Sequence, residues 1–132
     1  MLLRSRYLII IMCFFASLAN AARSPFELAG STIPAGEQRS FFASVANTDM
    51  QIPITVFHGI DSGPVLTLSA GTHGDEFPAI TALQRLRSEV DPTVLKGTLI
   101  FVHAANLPAL HQNGLSALHP GDKKNLNREF PG

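Results

Sequence analysis

Residues 65–90 read VLTLSAGTHGDEFPAITALQRLRSEV, and the chain changes character in the middle of that stretch. Val65 to Ala70 is a short apolar run preceded by Asp61-Ser62-Gly63-Pro64, a turn signal in front of a strand. After Gly71 the period lengthens. Phe77, Ile80, Leu83, Leu86 or Arg87, and Val90 recur at three- and four-residue steps, the stripe of an amphipathic helix. Pro78 fits because it falls in the first turn, where its missing N–H costs no hydrogen bond, and Asp75 is placed as N-cap. The stretch therefore predicts a strand, a glycine-flanked turn and a helix from Glu76 to Val90.

On the upstream side, Ile52 to His58 is rich in β-branched residues and alternates Ile52, Ile54 and Val56 with smaller ones, which predicts a strand. Two short strands about the Asp61–Pro64 turn predict an antiparallel hairpin. Downstream, Asp91-Pro92 ends the helix, and Thr98 to Ala104 is apolar enough to be a third strand buried on both faces. Residues 22–50 form an extended lead-in punctuated by Gly30, Pro34 and Gly36, and Ala105 to Gly132 is a long loop without a period. The fold class is α/β.

Two constellations can carry chemistry. Gly71-Thr72-His73-Gly74-Asp75-Glu76 places a histidine and a glutamate three residues apart where a strand ends and a helix begins, close to one helical turn. Imidazole nitrogen and carboxylate oxygen are ligands that zinc accepts, and a later histidine would complete a His₂Glu set with one position left for water. Alternatively, Asp75 and Glu76 only favour the helix dipole. The second constellation is Asp122 to Gly132, DKKNLNREFPG, in which Arg128 offers a planar fork for a carboxylate or a developing oxyanion and Asn127 an amide donor beside it. A solvated basic loop is the alternative there, given Lys123 and Lys124.

Taken together, the Gly-x-His-Gly-Asp-Glu turn after an apolar strand and the Leu-Asn-Arg-x-Phe-Pro-Gly stretch some fifty residues later resemble the succinylglutamate desuccinylase/aspartoacylase family, relatives of the zinc carboxypeptidases. The likeness runs from about Ile52 to the last residue and includes Ser62-Gly63-Pro64-Val65-Leu66 and Ala105-Asn106. It implies the N-terminal part of a zinc-carboxypeptidase-like mixed sheet flanked by helices. It also implies a zinc ion held by His73 and Glu76, with Asn127 and Arg128 on a substrate carboxylate or polarised carbonyl. The partner implied is a small carboxylate-bearing molecule, and the reaction is hydrolysis of an amide or ester bond, as in deacylation of an N-acyl amino acid. In the family the third zinc ligand and the general-base glutamate come later, beyond the position of Gly132.

The resemblance implies that residues 51–132 are a truncated N-terminal half of the catalytic domain. Two rivals follow: a non-catalytic exported module that keeps Asn127 and Arg128 for carboxylates, or an inactive truncated product. The sequence also departs from the family. Ala109 to Gly121 contains no arginine where the family often has one, Lys123 stands where glycine is common, and His103 where proline is usual. His103 is expected as a core histidine bonded to backbone, His111 and His119 as surface histidines, Glu129 as facing solvent, and His58 without a role.

Composition narrows the partners. Lys+Arg and Asp+Glu are equal at ten each, so no global field draws the chain to nucleic acid. Arg4 and Arg6 precede the apolar run Tyr7 to Leu18, and Ala19-Asn20-Ala21 has small residues at the −3 and −1 positions of a cleavage site. Residues 1–21 thus read as a secretory signal peptide, too short in its apolar part for a permanent span of roughly 20 residues. Cleavage removes Arg4, Arg6 and the single cysteine, Cys13, leaving eight basic and ten acidic residues, a formal charge of −2, and no disulfide or thiolate site. The mature chain is expected to begin near Ala22 in a secreted or periplasmic location. N-terminal sequencing of exported material checks this, and a cytosolic product retaining Met1 would contradict it.

Overall fold

A computed structural model describes residues 23–112 and 117–130. Residues 1–21, read above as a signal peptide, lie outside the described residues. Six strands and two helices follow in order: β1 Phe26–Leu28, β2 Ser31–Ile33, β3 Glu37–Ser44, β4 Gln51–His58, β5 Asp61–Ser69, α1 Phe77–Leu86, β6 Lys96–Val102 and α2 Leu107–His111. A single 3-10 turn, Leu126–Arg128, lies near the end. The lead-in is thus more ordered than expected. β1 and β2 pair as a small antiparallel ribbon, and β3 joins the main sheet.

The main sheet is mixed and runs β3-β4-β6-β5. β3 and β4 form an antiparallel hairpin, with Phe41 opposite Ile54. β4 is antiparallel to β6, with Val56 opposite Ile100, and β5 is parallel to β6, with Val65 beside Thr98. The expected hairpin of the β4 and β5 segments therefore does not form, because β6 inserts between them. Gly63 explains why the turn signal failed. It lies within β5, and a Cβ built there would sit 2.8 Å from Gly97 N, so the missing side chain serves a close backbone approach to β6. Register shifts between Asp61 and Val65 in the same place.

β6 is buried on both faces, as its composition predicted. On one face Phe101 packs with Phe57, Ala70, Ala104 and, from α1, Ile80 and Leu83. The Phe57 and Phe101 rings meet edge-on, centroids 5.0 Å apart. On the other face Ile100 packs with Val56 and Ile33 beneath the β1–β2 ribbon. Arg23 ties the start of the described chain to this sheet, donating to the carbonyls of Gly59, Asp61 and Gly97 and to Thr98 Oγ1.

The helix is shorter than its apolar stripe. Its N-cap is Glu76 rather than Asp75, and no side chain caps it, because the Glu76 carboxylate turns back to His73. At the other end the Ser88 and Glu89 amides bond to carbonyls three residues earlier, and Ser88 Oγ donates to Arg85 O, tightening the chain out of α geometry before Asp91. Phe77, first in the stripe, is exposed, while Val90 still packs against the core from beyond the helix end.

β5 is a sheet edge, and Val65 and Leu66 on it are 53% and 52% exposed. An unpaired edge bearing apolar side chains is a template for association. A polypeptide spanning residues 22–132 is expected to be marginally stable and to associate with rising concentration in sedimentation velocity. The double substitution Val65→Lys, Leu66→Lys is expected to shift it toward monomer. A monodisperse wild-type monomer with a sharp thermal transition at every concentration would contradict this.

Candidate functional site

The His73 turn lies at the carboxyl ends of the parallel pair β5 and β6, the end of an open α/β sheet where ligands bind. Backbone bonds lash it to the segment after β6: Ala105 N donates to Ala70 O, and Asn106 N to Gly71 O. The buried Asn106 side chain continues the lashing, with Nδ2 donating to Thr72 O at 3.3 Å and Oδ1 accepting from Ala109 N, which caps α2. Gly74 permits the packing of α2 on the turn, since a Cβ there would lie 2.5 Å from Ala109 O.

On this frame His73 and Glu76 converge. His73 Nδ1 is 2.8 Å from Glu76 Oε1, and His73 N–H donates to Glu76 Oε2 at 3.2 Å. Both side chains are half-buried, at 21% and 36% exposure, and so open to a ligand from one side. The far nitrogen, Nε2, lies 3.0 Å from Asn125 Oδ1. Asn125 Oδ1 also accepts from the Asn127 backbone N–H at 3.0 Å, and since a backbone N–H can only donate, the atom facing His73 is the amide oxygen. His73 must then carry its proton on Nε2. Nδ1 is left with a lone pair aimed at a carboxylate oxygen, and two acceptors at that distance are compatible only with a cation between them, a proton or a metal ion.

Asn125 escaped the sequence reading, which weighed Asn127 and Arg128 as donors to substrate and sought no acceptor for the histidine. The signal lay within the same motif, two residues before Asn127. Asn127 and Arg128 themselves are exposed on the 3-10 turn, and neither hydrogen-bonds to His73 or Glu76. Among the described residues Arg128 Nη1 donates only to the neighbouring Asn127 O, at 3.2 Å, and the residue is exposed. Lys123, where glycine was anticipated, has φ +60°, the left-handed region that an L side chain adopts at a cost.

An open cleft of about 330 Å³ lies between the β3–β4 turn, the Ala105–Asn106 segment after β6 and residues 119–129. Val45, Met50, Ile52 and Leu126 supply its apolar wall, and Lys124, ion-paired to Glu129 at 3.0 Å, part of its rim. Lys124 and Leu126, the chain neighbours of Asn125, line the cleft, while Asn125 itself bonds to His73.

The remaining histidines divide differently from expectation. His58 is buried, with Nδ1 2.8 Å from Thr98 Oγ1 and Nε2 bonded to Ser24 O. His103 is buried as expected, but its partner is the Thr55 hydroxyl rather than backbone. His119 is half-buried against Met50 Sδ and Asp122, and His111 is exposed. Among the described residues no set of three His, Cys, Asp or Glu side chains is grouped to hold a metal. The donors present fit two positions of a His₂Glu set and do not supply the third.

Comparison with known proteins gives the class. The model of the succinylglutamate desuccinylase/aspartoacylase catalytic domain matches residues 62–132. The chain belongs to that family. It is 41% identical over 83 residues to the N-alpha-acetyl-L-2,4-diaminobutyric acid deacetylase of Halomonas elongata, a match covering 63% of this chain and 23% of the relative. Among solved structures, a succinylglutamate desuccinylase/aspartoacylase from Rhodobacter sphaeroides superposes with a TM-score of 0.61 at 33% identity, over 72% of this chain and 31% of that one. The product-bound ectoine utilization protein EutE (DoeB) from Ruegeria pomeroyi also gives 0.61 at 33% identity, over 83% and 33%. The mixed sheet with flanking helices is therefore the fold of these proteins, and the chain spans about a quarter to a third of their length.

The Asn125 contact raises the His73 pKa from its ordinary 6.5, opposed by partial desolvation and aided by Glu76. The raised value means the folded state favours protonated His73. In metal-free protein the stability contributed by the pair is complete below 6.5 and is lost as pH rises through the raised value. Metal affinity runs the other way, falling as pH drops and the proton competes for Nδ1. Asn125→Ala is expected to weaken zinc binding about 10–100-fold in chelator competition. Asn125→Asp, which keeps an acceptor, is expected to bind nearly as wild type. Equal affinity for Asn125→Ala and wild type would remove Asn125 from the site.

Proposed function

We propose that the protein is a zinc-dependent amide hydrolase that removes the acyl group from a small N-acyl amino acid outside the cytoplasm. The observation that carries this reading is the convergence of His73 Nδ1 and Glu76 Oε1, with Nε2 anchored to Asn125. His73 and Glu76 would hold the zinc ion. When bound, it polarises the scissile carbonyl and acidifies a water molecule. The described residues supply two of the ligands, and the chain covers only 23–33% of the length of its relatives.

The chain's own residues bind and orient. Arg128, which is exposed, takes the α-carboxylate of the substrate in a bidentate pair, and Asn127 donates beside it. Asn125 holds the His73 ring in one tautomer while its shared oxygen sets the position of Asn127, so substrate grip and histidine orientation are aligned together. The largely apolar cleft lined by Lys124 and Leu126 accommodates the part of the substrate turned away from Arg128. The name of the Halomonas relative makes N-acetyl-2,4-diaminobutyrate the first substrate to test.

The full-length protein is expected to release acetate from N-acetyl-2,4-diaminobutyrate, to lose activity on chelation and to regain it with zinc. His73→Ala and Glu76→Gln are expected to abolish turnover. Arg128→Ala is expected to raise KM about 10–100-fold, the value of a lost hydrogen bond between charged groups, with a smaller effect on kcat. Activity that survives both chelation and Glu76→Gln would overturn the proposal.

A further inference from the structure

The sheet face covered by α1 carries a groove whose lining includes neither His73 nor Glu76. It consists of two cavities, about 240 Å³ and 230 Å³, that share Pro53, Arg87 and His103. One cavity runs from this junction past Leu107 and Leu110 of α2, the other past Phe42 and Ile54 of the β3–β4 hairpin. Both are walled by apolar side chains, and Phe42 is 61% exposed.

Two polar groups at the junction lack the partners their chemistry calls for. His103 is only 8% exposed, yet its Nδ1 has no hydrogen-bond partner. Buried polar atoms are almost always paired, so an orphan in a core asks for a reason. Arg87, just beyond the end of α1, makes no ion pair or hydrogen bond through its guanidinium among the described residues. Burial, and secondarily the Arg87 charge, hold the His103 pKa below its ordinary value, so the ring is neutral and one nitrogen is bare.

The bare nitrogen can be either one. His103 Nε2 lies 2.8 Å from Thr55 Oγ1, which lies 2.8 Å from Ser40 Oγ. With Nε2–H donating to Thr55 and Thr55 to Ser40, Nδ1 is left as an acceptor. With Ser40 donating to Thr55 and Thr55 to Nε2, Nδ1 carries the proton and becomes a donor. Hydroxyls donate and accept equally well, so the second arrangement changes the tautomer without charging the ring.

We propose that this junction binds a small carboxylate with a short apolar body, its oxygens held by the Arg87 guanidinium and His103 Nδ1–H and its body lying over Pro53. The guanidinium fork matches a carboxylate, and the reversed hydroxyl relay supplies the second donor. The apolar walls select a monoanion with an apolar flank over inorganic phosphate, whose other oxygens would be desolvated without partners. Nδ1 is shielded from solvent, so entry requires a neighbouring side chain to shift; Arg87, exposed and lining both cavities, is held by no hydrogen bond or ion pair through its guanidinium among the described residues.

The test is titration of full-length protein, ¹⁵N-labelled at histidine, with hexanoate near neutral pH, read at the His103 ring nitrogens. A saturable shift of Nδ1 toward the protonated signal is expected. Arg87→Gln is expected to weaken it at least about tenfold with an unchanged melting temperature, while Arg87→Lys retains part of the affinity. Hexanol and inorganic phosphate are expected to leave the signals unmoved. The proposal is overturned if hexanoate does not move His103, if Arg87→Gln responds as wild type does, or if hexanol or phosphate works equally well. It is also overturned if Arg87→Gln lowers the melting temperature while hexanoate has no effect, which would mean that the protein's own chain fills the groove.

Discussion

The structure depends on β6 being buried on both faces while pairing with neighbours of opposite direction. Phe101 and Ile100 point into separate clusters, one under α1 and one under the β1–β2 ribbon, so a single strand nucleates both layers. Its pairing with β5 is parallel and requires a crossover, which α1 supplies. Its pairing with β4 is antiparallel and requires none. That arrangement brings the ends of β5 and β6 out on the same side, and there Ala70 and Gly71 take backbone bonds from Ala105 and Asn106. The His73 turn is held because the strands on either side of the crossover are held.

Rigidity at that end has a local cost in backbone freedom. Gly74 is hemmed by the Ala109 carbonyl, which leaves no room for a side chain, and Lys123 is left-handed, a conformation L residues rarely adopt, so the turn and the Asn125 loop are each constrained at one residue. Glu76 gives up its capping role for a bond to His73, and α1 begins without a side-chain cap. The helix start thus departs from local consistency at the turn that carries the candidate site.

Much of this was legible in the sequence wherever local chemistry decides structure. The apolar strand, the glycine turn and the helix with Pro78 in its first turn follow from period and propensity, and the two separated motifs identified the family. The β4–β5 hairpin was misread because Asp61 to Pro64 has turn composition, while strand order is set by a partner more than thirty residues away. Gly63 illustrates the ambiguity: absence of a side chain permits a turn and a close strand approach equally. The helix end was overestimated because the apolar stripe continues through Val90, although Ser88 and Glu89 leave α geometry before it. For His103, burial was predictable from its strand, but the hydroxyl partner on β4 was not, since it depends on the antiparallel register.

Asn125 shows most clearly what a linear reading misses. One oxygen accepts from His73 Nε2 and from Asn127 N, so a histidine on the turn after β5 and the loop preceding Arg128 share an acceptor across fifty-two residues of sequence. A motif read as a row of substrate donors is also a brace for the histidine. The two roles constrain one another: rotation of the Asn125 amide to face His73 with its nitrogen would remove the acceptor from both partners at once. On the proposed mechanism, disorder in the loop would therefore be felt at the metal position, and loss of the histidine would be felt in the grip on the carboxylate. Coupling of this kind follows from hydrogen-bond valence alone, because two donors need one oxygen and only one orientation of the amide provides it.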